Sequence, residues 1–176
     1  EEVEALCAAV TSGYIAPSNY NCPGQITVAG ERKGLDEFLK LAQEKGVTAK
    51  ELAVSIPSHC RLMEPAARRL SEAIGEVAFA DAAIPVYANA SGTASTSGEE
   101  IRENLIRQLT MPVLFEQTLY HMIEDGFDTF IEIGPGKVTS GLVKKCAKAK
   151  KAKPAVYRAG DMETLKKCLD ELKNDD

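Results

Sequence analysis

Val54-Ser55-Ile56-Pro57-Ser58-His59-Cys60-Arg61-Leu62-Met63 is where this chain changes character. Before it, Val3, Leu6, Cys7 and Val10 follow helical spacing up to Gly13. Residues 14–20 and 25–29 then read as short strands across the turn-forming Asn21-Cys22-Pro23-Gly24. Leu35, Phe38, Leu39 and Ala42 recur at i, i+3, i+4 and i+7, which predicts an amphipathic helix over 31–45 with Gly46 as its left-handed cap. Residues 47–56 read as a strand. The order helix, strand, strand, helix, strand matches a βαββαβ ferredoxin-like unit whose first strand would lie upstream of Glu1. Residues 1–56 are assigned to this small lobe.

After Pro57 the pattern is different. Pro65 suits the first turn of a helix carrying Leu70, Ala73, Ile74 and Val77 on one face. Residues 84–89 read as a short strand, and 90–97 as a small-residue loop leading into a capping box, Ser97-Gly98-Glu99-Glu100. The next helix has Ile101, Leu105 and Leu109 as its buried stripe. Pro112 should interrupt it and restart a second helix, with Phe115, Leu119, Met122 and Ile123 inward and Gly126 at its end. A strand at 129–133, a turn at Gly134-Pro135-Gly136, a helix at 137–148, a strand at 155–158 and a helix at 162–173 complete the alternation. This spacing predicts a parallel α/β sheet, so residues 57–176 are assigned to the carboxy-terminal part of an α/β lobe. His59 falls in the loop that joins the two regions.

Composition bounds the function. The chain has 176 residues, 44% hydrophobic and 27% charged, which suits one globular domain or two small ones. No apolar run approaches a membrane span and no secretory signal opens the chain, so a cytoplasmic, membrane-free protein is expected. The helical spacing that starts within three residues of Glu1, with no initiator methionine, reads as a chain cut from a longer parent. Five scattered cysteines, none in a Cys-x-x-Cys pair, argue for reduced thiols over disulfides or structural zinc. The net charge of −5 gives no pull toward nucleic acid, but Lys137, Lys144, Lys145, Lys148, Lys150, Lys151 and Lys153 follow one another with no acid between.

Few residues can carry chemistry. His121 sits in a helix and reads as a packing or surface residue. Taken alone, His59 too reads as a loop histidine hydrogen-bonded near a helix start. No second histidine, paired cysteine or carboxylate lies at ligand spacing, so no metal is expected. Cys60 is a poor nucleophile for its neighbour, because adjacent side chains diverge and a base must lie about 2.6–3.2 Å from the atom it deprotonates. Gly134-Pro135-Gly136-Lys137 lacks the full phosphate-loop pattern, and Pro135 removes an N–H such a loop would use. No Gly-x-Ser-x-Gly elbow is present. His59 is a base without a nucleophile.

Four segments taken in order are more specific. Asn19-Tyr20-Asn21-Cys22-Pro23-Gly24-Gln25, the His59 stretch from Ser55 to Met63, Gln108-Leu109-Thr110-Met111-Pro112-Val113 and Glu132-Ile133-Gly134-Pro135-Gly136-Lys137-Val138 together resemble the second half of bacterial malonyl-CoA:acyl carrier protein transacylases. The match runs from about Tyr14 to Leu142 and weakens after Lys148. The resemblance implies a hydrolase-like α/β lobe with an inserted ferredoxin-like lobe and an active site between them. It also implies ping-pong transfer of malonyl from coenzyme A, through a serine ester, to the pantetheine thiol of acyl carrier protein. The serine would lie on an amino-terminal segment of the parent protein, which is thereby an expected partner.

By the same resemblance His59 is the catalytic base and the main-chain carbonyl of Gln108 orients it, a role open to one of the last carbonyls of a helix. Asn19 and Asn21 match positions that line the substrate gorge, although Asn21 could equally stabilise the turn. Malonyl-CoA is a substrate here, and no cofactor is implied. Lys144 and Lys145 could dock an acidic carrier protein, or simply form a solvated helix end. Two other readings stay open: a non-catalytic module that binds coenzyme A or carrier protein, and a relative that transfers a different acyl group.

Overall fold

The computed structural model describes residues 1–174, which form two compact units: Glu1–Asn21 with Gln25–Phe115, and Cys22–Gly24 with Glu116 and the residues that follow it. The fold is α/β, with small sheets.

The first unit begins with helix α1 (Glu2–Ala9), strand β1 (Ile15–Cys22), strand β2 (Gln25–Gly30) and helix α2 (Arg32–Glu44). The two strands form the expected hairpin across Pro23-Gly24, and α2 ends at a left-handed Gly46 with φ +69°. Leu6, Cys7, Ile15, Phe38 and Ala42 are the buried centre, with Val3, Val28, Leu35 and Val47 packed around it. The helical and strand periodicities thus converge on one core.

Tyr14 is fixed at the entry to β1. Its N–H donates to Glu31 Oε2 at 2.7 Å and its carbonyl accepts the Glu31 N–H at 2.7 Å. A Cβ at Gly30 would lie 2.1 Å from the Tyr14 oxygen and one at Gly34 2.7 Å, so both positions need glycine for this close backbone approach.

The strand expected at 47–56 is not formed. Tight local bonds replace a ladder, with the Val54 N–H donating to Leu52 O at 2.8 Å and the Ser58 N–H to Ile56 O at 2.9 Å. Leu52, Val54 and Ile56 keep the alternation of a strand but are 55%, 70% and 60% exposed. The physical reason is the lack of a partner: among the described residues β2 pairs with β1 alone, and a cavity of about 710 Å³ lies between β2 and this segment. Arg32 of α2 tethers the segment through Glu51 at 2.7 Å.

Helix α3 (Glu64–Gly75) has Pro65 in its first turn as expected, after a single 3-10 turn at Arg61–Met63. Ala67, Leu70 and Ile74 are its half-buried stripe, whereas Ala73 and Val77 are exposed. The short strand near 84–89 is only β3 (Val86–Tyr87), and it pairs antiparallel with β4 (Ala94–Ser95) inside what reads in sequence as a loop. Helix α4 (Gly98–Arg107) has its expected cap, since Ser97 Oγ accepts the Glu100 N–H at 3.4 Å. The reciprocal half of the box is absent, because Glu100 takes the Ser95 hydroxyl instead. Leu105, expected inward, is 36% exposed.

The second helix forms as expected, but it starts at Phe115, three residues past Pro112. Residues 112–114 are extended: the Val113 N–H donates to Ser18 O at 2.9 Å and the Tyr20 N–H to Val113 O at 2.8 Å, a parallel bridge onto β1. The residue before a proline avoids helical geometry, and β1 offers the backbone partners.

The second unit holds helix α5 (Phe115–Glu124), of which all but Phe115 belongs to it, strand β5 (Thr129–Ile133), helix α6 (Val138–Ala149), strand β6 (Ala155–Ala159) and helix α7 (Met162–Asn174). Strands β5 and β6 are parallel and in register from Thr129↔Ala155 to Ile133↔Ala159, as the alternation predicts, with α6 as the crossover. Leu119, Leu142, Val143, Cys146, Ala147 and Cys168 are buried here. Gly134 and Gly136 turn the chain between β5 and α6 at φ +135° and +105°, a structural role that fits the reading of this motif as a turn. No helix among the described residues is long and apolar enough to cross a membrane.

Candidate active site

His59 sits at the centre of a turn closed by its neighbours. The Cys60 thiol donates to Pro57 O at 3.2 Å, and the Met63 N–H donates to Cys60 O at 3.0 Å, where the 3-10 turn begins. His59 itself has φ +60°, a left-handed conformation that a side chain adopts only where its surroundings impose it. Cys60 is buried and committed to this turn, which removes it as a nucleophile.

The imidazole meets a helix end. Helix α4 stops at Arg107, and the N–H groups of Thr110 and Met111 both turn back to Arg107 O. The Gln108 carbonyl receives His59 Nδ1 at 2.7 Å. A carbonyl only accepts, so Nδ1 carries the proton and Nε2 of the neutral ring keeps its lone pair. The Gln108 side chain is held separately, its Oε1 lying 3.5 Å from Asn89 Nδ2.

Asn19 and Asn21 stand on β1. Asn19 Oδ1 accepts the Ser18 hydroxyl at 3.1 Å, and Asn21 Nδ2 donates to Thr27 Oγ1 at 3.2 Å. Both line the 710 Å³ cavity, whose wall also includes Ser58, the residue before His59. The structure therefore joins His59 to Gln108 and puts the two asparagines on a cavity that reaches the His59 turn.

Lys144 and Lys145 lie on α6 in the second unit, where both are exposed. Lys144 lines a separate cavity of about 390 Å³ together with Lys148, Lys151 and Lys153. His121 is half-buried within α5. Among the described residues no group of three His, Cys, Asp or Glu side chains could hold a metal ion.

Two features escaped the sequence reading. Glu132 caps α6 across the glycine turn, accepting the Thr139 and Ser140 N–H groups at 3.0 Å each. Burial pushes its carboxyl up, but the hydrogen bonds from Ser140 and Thr139 outweigh this and leave it at about 2. Its place in Glu132-Ile133-Gly134-Pro135-Gly136 was the available signal. The other is Arg61, whose guanidinium carbon lies 3.9 Å from the centre of the Tyr14 ring.

Residues 2–167, which include this His59 turn and the helix end it meets, match the acyl transferase domain. The chain belongs to that family. It is 43% identical over 159 residues to the malonyl CoA-acyl carrier protein transacylase of Bacillus subtilis, covering 90% of this chain and 49% of the relative. Among solved structures it superposes on the corresponding transacylase of Clostridium perfringens with a TM-score of 0.91 at 36% identity, covering 98% of this chain and 54% of that one. A malonyl-transacylase in complex with a holo type II PKS acyl-carrier protein gives a TM-score of 0.89 at 33% identity, over 96% of this chain and 54% of that one. The chain thus spans about half the length of the curated relatives it matches.

Proposed function

We propose that this chain is the histidine-bearing portion of a transferase that moves malonyl from coenzyme A to the pantetheine thiol of acyl carrier protein in fatty acid synthesis. The observation that carries this reading is the 2.7 Å contact between His59 Nδ1 and the Gln108 carbonyl. It fixes the tautomer that a general base needs, with Nε2 ready to accept.

In the first half-reaction a serine oxygen attacks the malonyl thioester carbonyl as Nε2 takes the serine proton. The C–S bond breaks, and the coenzyme A thiolate leaves with that proton. In the second, Nε2 takes the proton of the carrier thiol as its sulfur attacks the ester, and the serine leaves with the proton. Within each half-reaction the ring is cationic only from taking the proton until handing it on, and its Nδ1–H stays bonded to Gln108 throughout. The serine comes from the half of the relatives' length that this chain does not span. The chemistry needs no cofactor beyond the acyl-CoA substrate.

The same complementary half supplies an extended strand to the open edge of β2. The supporting observations are the cavity between β2 and residues 47–57, and the unmet strand alternation of Leu52, Val54 and Ile56. Asn19 and Asn21 stand on β1, one strand in from that edge, and offer amides to malonyl or pantetheine oxygens. Lys144 and Lys145 dock the acidic carrier protein. Five free thiols suit a cytoplasmic enzyme.

The test joins this chain to the complementary half of the Bacillus subtilis relative and assays transfer from malonyl-CoA to holo carrier protein. Transfer supports the reading; a folded hybrid that binds carrier protein without transfer supports a binding module instead.

A further inference from the structure

We propose that Tyr14 is a positioning residue for His59, acting through Arg61. The inference rests on the reading of His59 as a base, but its test does not depend on turnover.

The turn from Pro57 to Met63 carries two demands at once: a left-handed His59 and an imidazole held within 2.7 Å of Gln108 O. Strained backbone of this kind persists only where neighbours over-determine it. The bonds from Ser58 to Ile56, Cys60 to Pro57 and Met63 to Cys60 close the turn on itself, and so cannot set its position relative to the rest of the unit.

Tyr14 can set it. Its backbone is pinned in both directions by Glu31 and crowded by Gly30 and Gly34, so its ring projects from a rigid base. Arg61, two residues after His59, meets that ring twice. Its guanidinium lies over the face at 3.9 Å, and its N–H points to the Tyr14 hydroxyl at 3.4 Å. The backbone and the side chain of one residue are thus both tied to a fixed aromatic 47 residues away. The contact holds the far end of the turn while Gln108 holds the ring.

The experiment is the solvent-exchange rate of the His59 Nδ1 proton, read by NMR on the chain as it stands, alongside its thermal unfolding midpoint. Arg61→Ala removes an exposed side chain, and so leaves the core untouched. It should speed Nδ1–H exchange about three- to fivefold with the midpoint lowered by no more than about a few degrees. Tyr14→Leu should do the same or more, and Tyr14→Phe, which keeps the ring face, should recover most of the parent rate. An unchanged exchange rate in Arg61→Ala, or a Tyr14→Phe variant no better than Tyr14→Leu, overturns the proposal.

Discussion

His59 Nδ1 lies 2.7 Å from the main-chain oxygen of Gln108, a residue 49 positions further along the chain. The acceptor belongs to the backbone, which separates two effects that a carboxylate partner would merge. The imidazole is oriented by a partner that itself carries no full negative charge.

Because the acceptor is a carbonyl, the side chain at position 108 is dispensable for it. Gln108→Leu should retain the Nδ1–H signal of His59 and at least about a third of the hybrid's transfer rate, whereas a lost Gln108 carbonyl would cost the orienting bond. Loss of the Nδ1–H signal in this variant would show that the side chain is the true partner.

The strand site makes its own prediction. Val54 is 70% exposed, so Val54→Asp should leave this chain folded by circular dichroism. It should weaken association with the complementary Bacillus subtilis half at least about tenfold, because a carboxylate is then buried without a partner. Calorimetry of the two fragments measures this directly, and equal affinity for parent and variant would place the strand elsewhere.

Carrier docking through α6 predicts a selective effect. Lys144→Glu with Lys145→Glu should raise the apparent KM for carrier protein several-fold at low salt while leaving that for malonyl-CoA unchanged. An equal rise for both substrates would point to general damage.

Glu132 links pH to stability. Its folded pKa of about 2 is depressed, so its contribution is complete above the ordinary carboxylate range and fades as pH falls from about 5 toward 2. Glu132→Gln should cost about 1 kcal/mol at pH 7, as loss of a helix cap does, and nearly nothing at pH 2. Thermal unfolding across that range checks both ends.

The sequence held the local elements well, since α2, α3, α6 and the β1–β2 hairpin follow from spacing, a proline and turn residues. The parallel pairing of β5 and β6 also follows from their separation by one helix. What it hid depends on partners remote in the chain. Residues 112–114 are too few to show a period, and only β1 makes them extended. Residues 47–56 carry a genuine strand pattern that no described neighbour completes. Within the site, His59 and Gln108 came from resemblance to a family and not from spacing, and Arg61 is tied to Tyr14 by a contact that no local motif announces.

The most direct test of the central claim is His59→Ala in the hybrid of this chain with the complementary Bacillus subtilis half, assayed for malonyl transfer to holo carrier protein. If His59 is the base, transfer falls about 10²- to 10⁴-fold with carrier binding intact. Near-full activity would remove His59 from the mechanism.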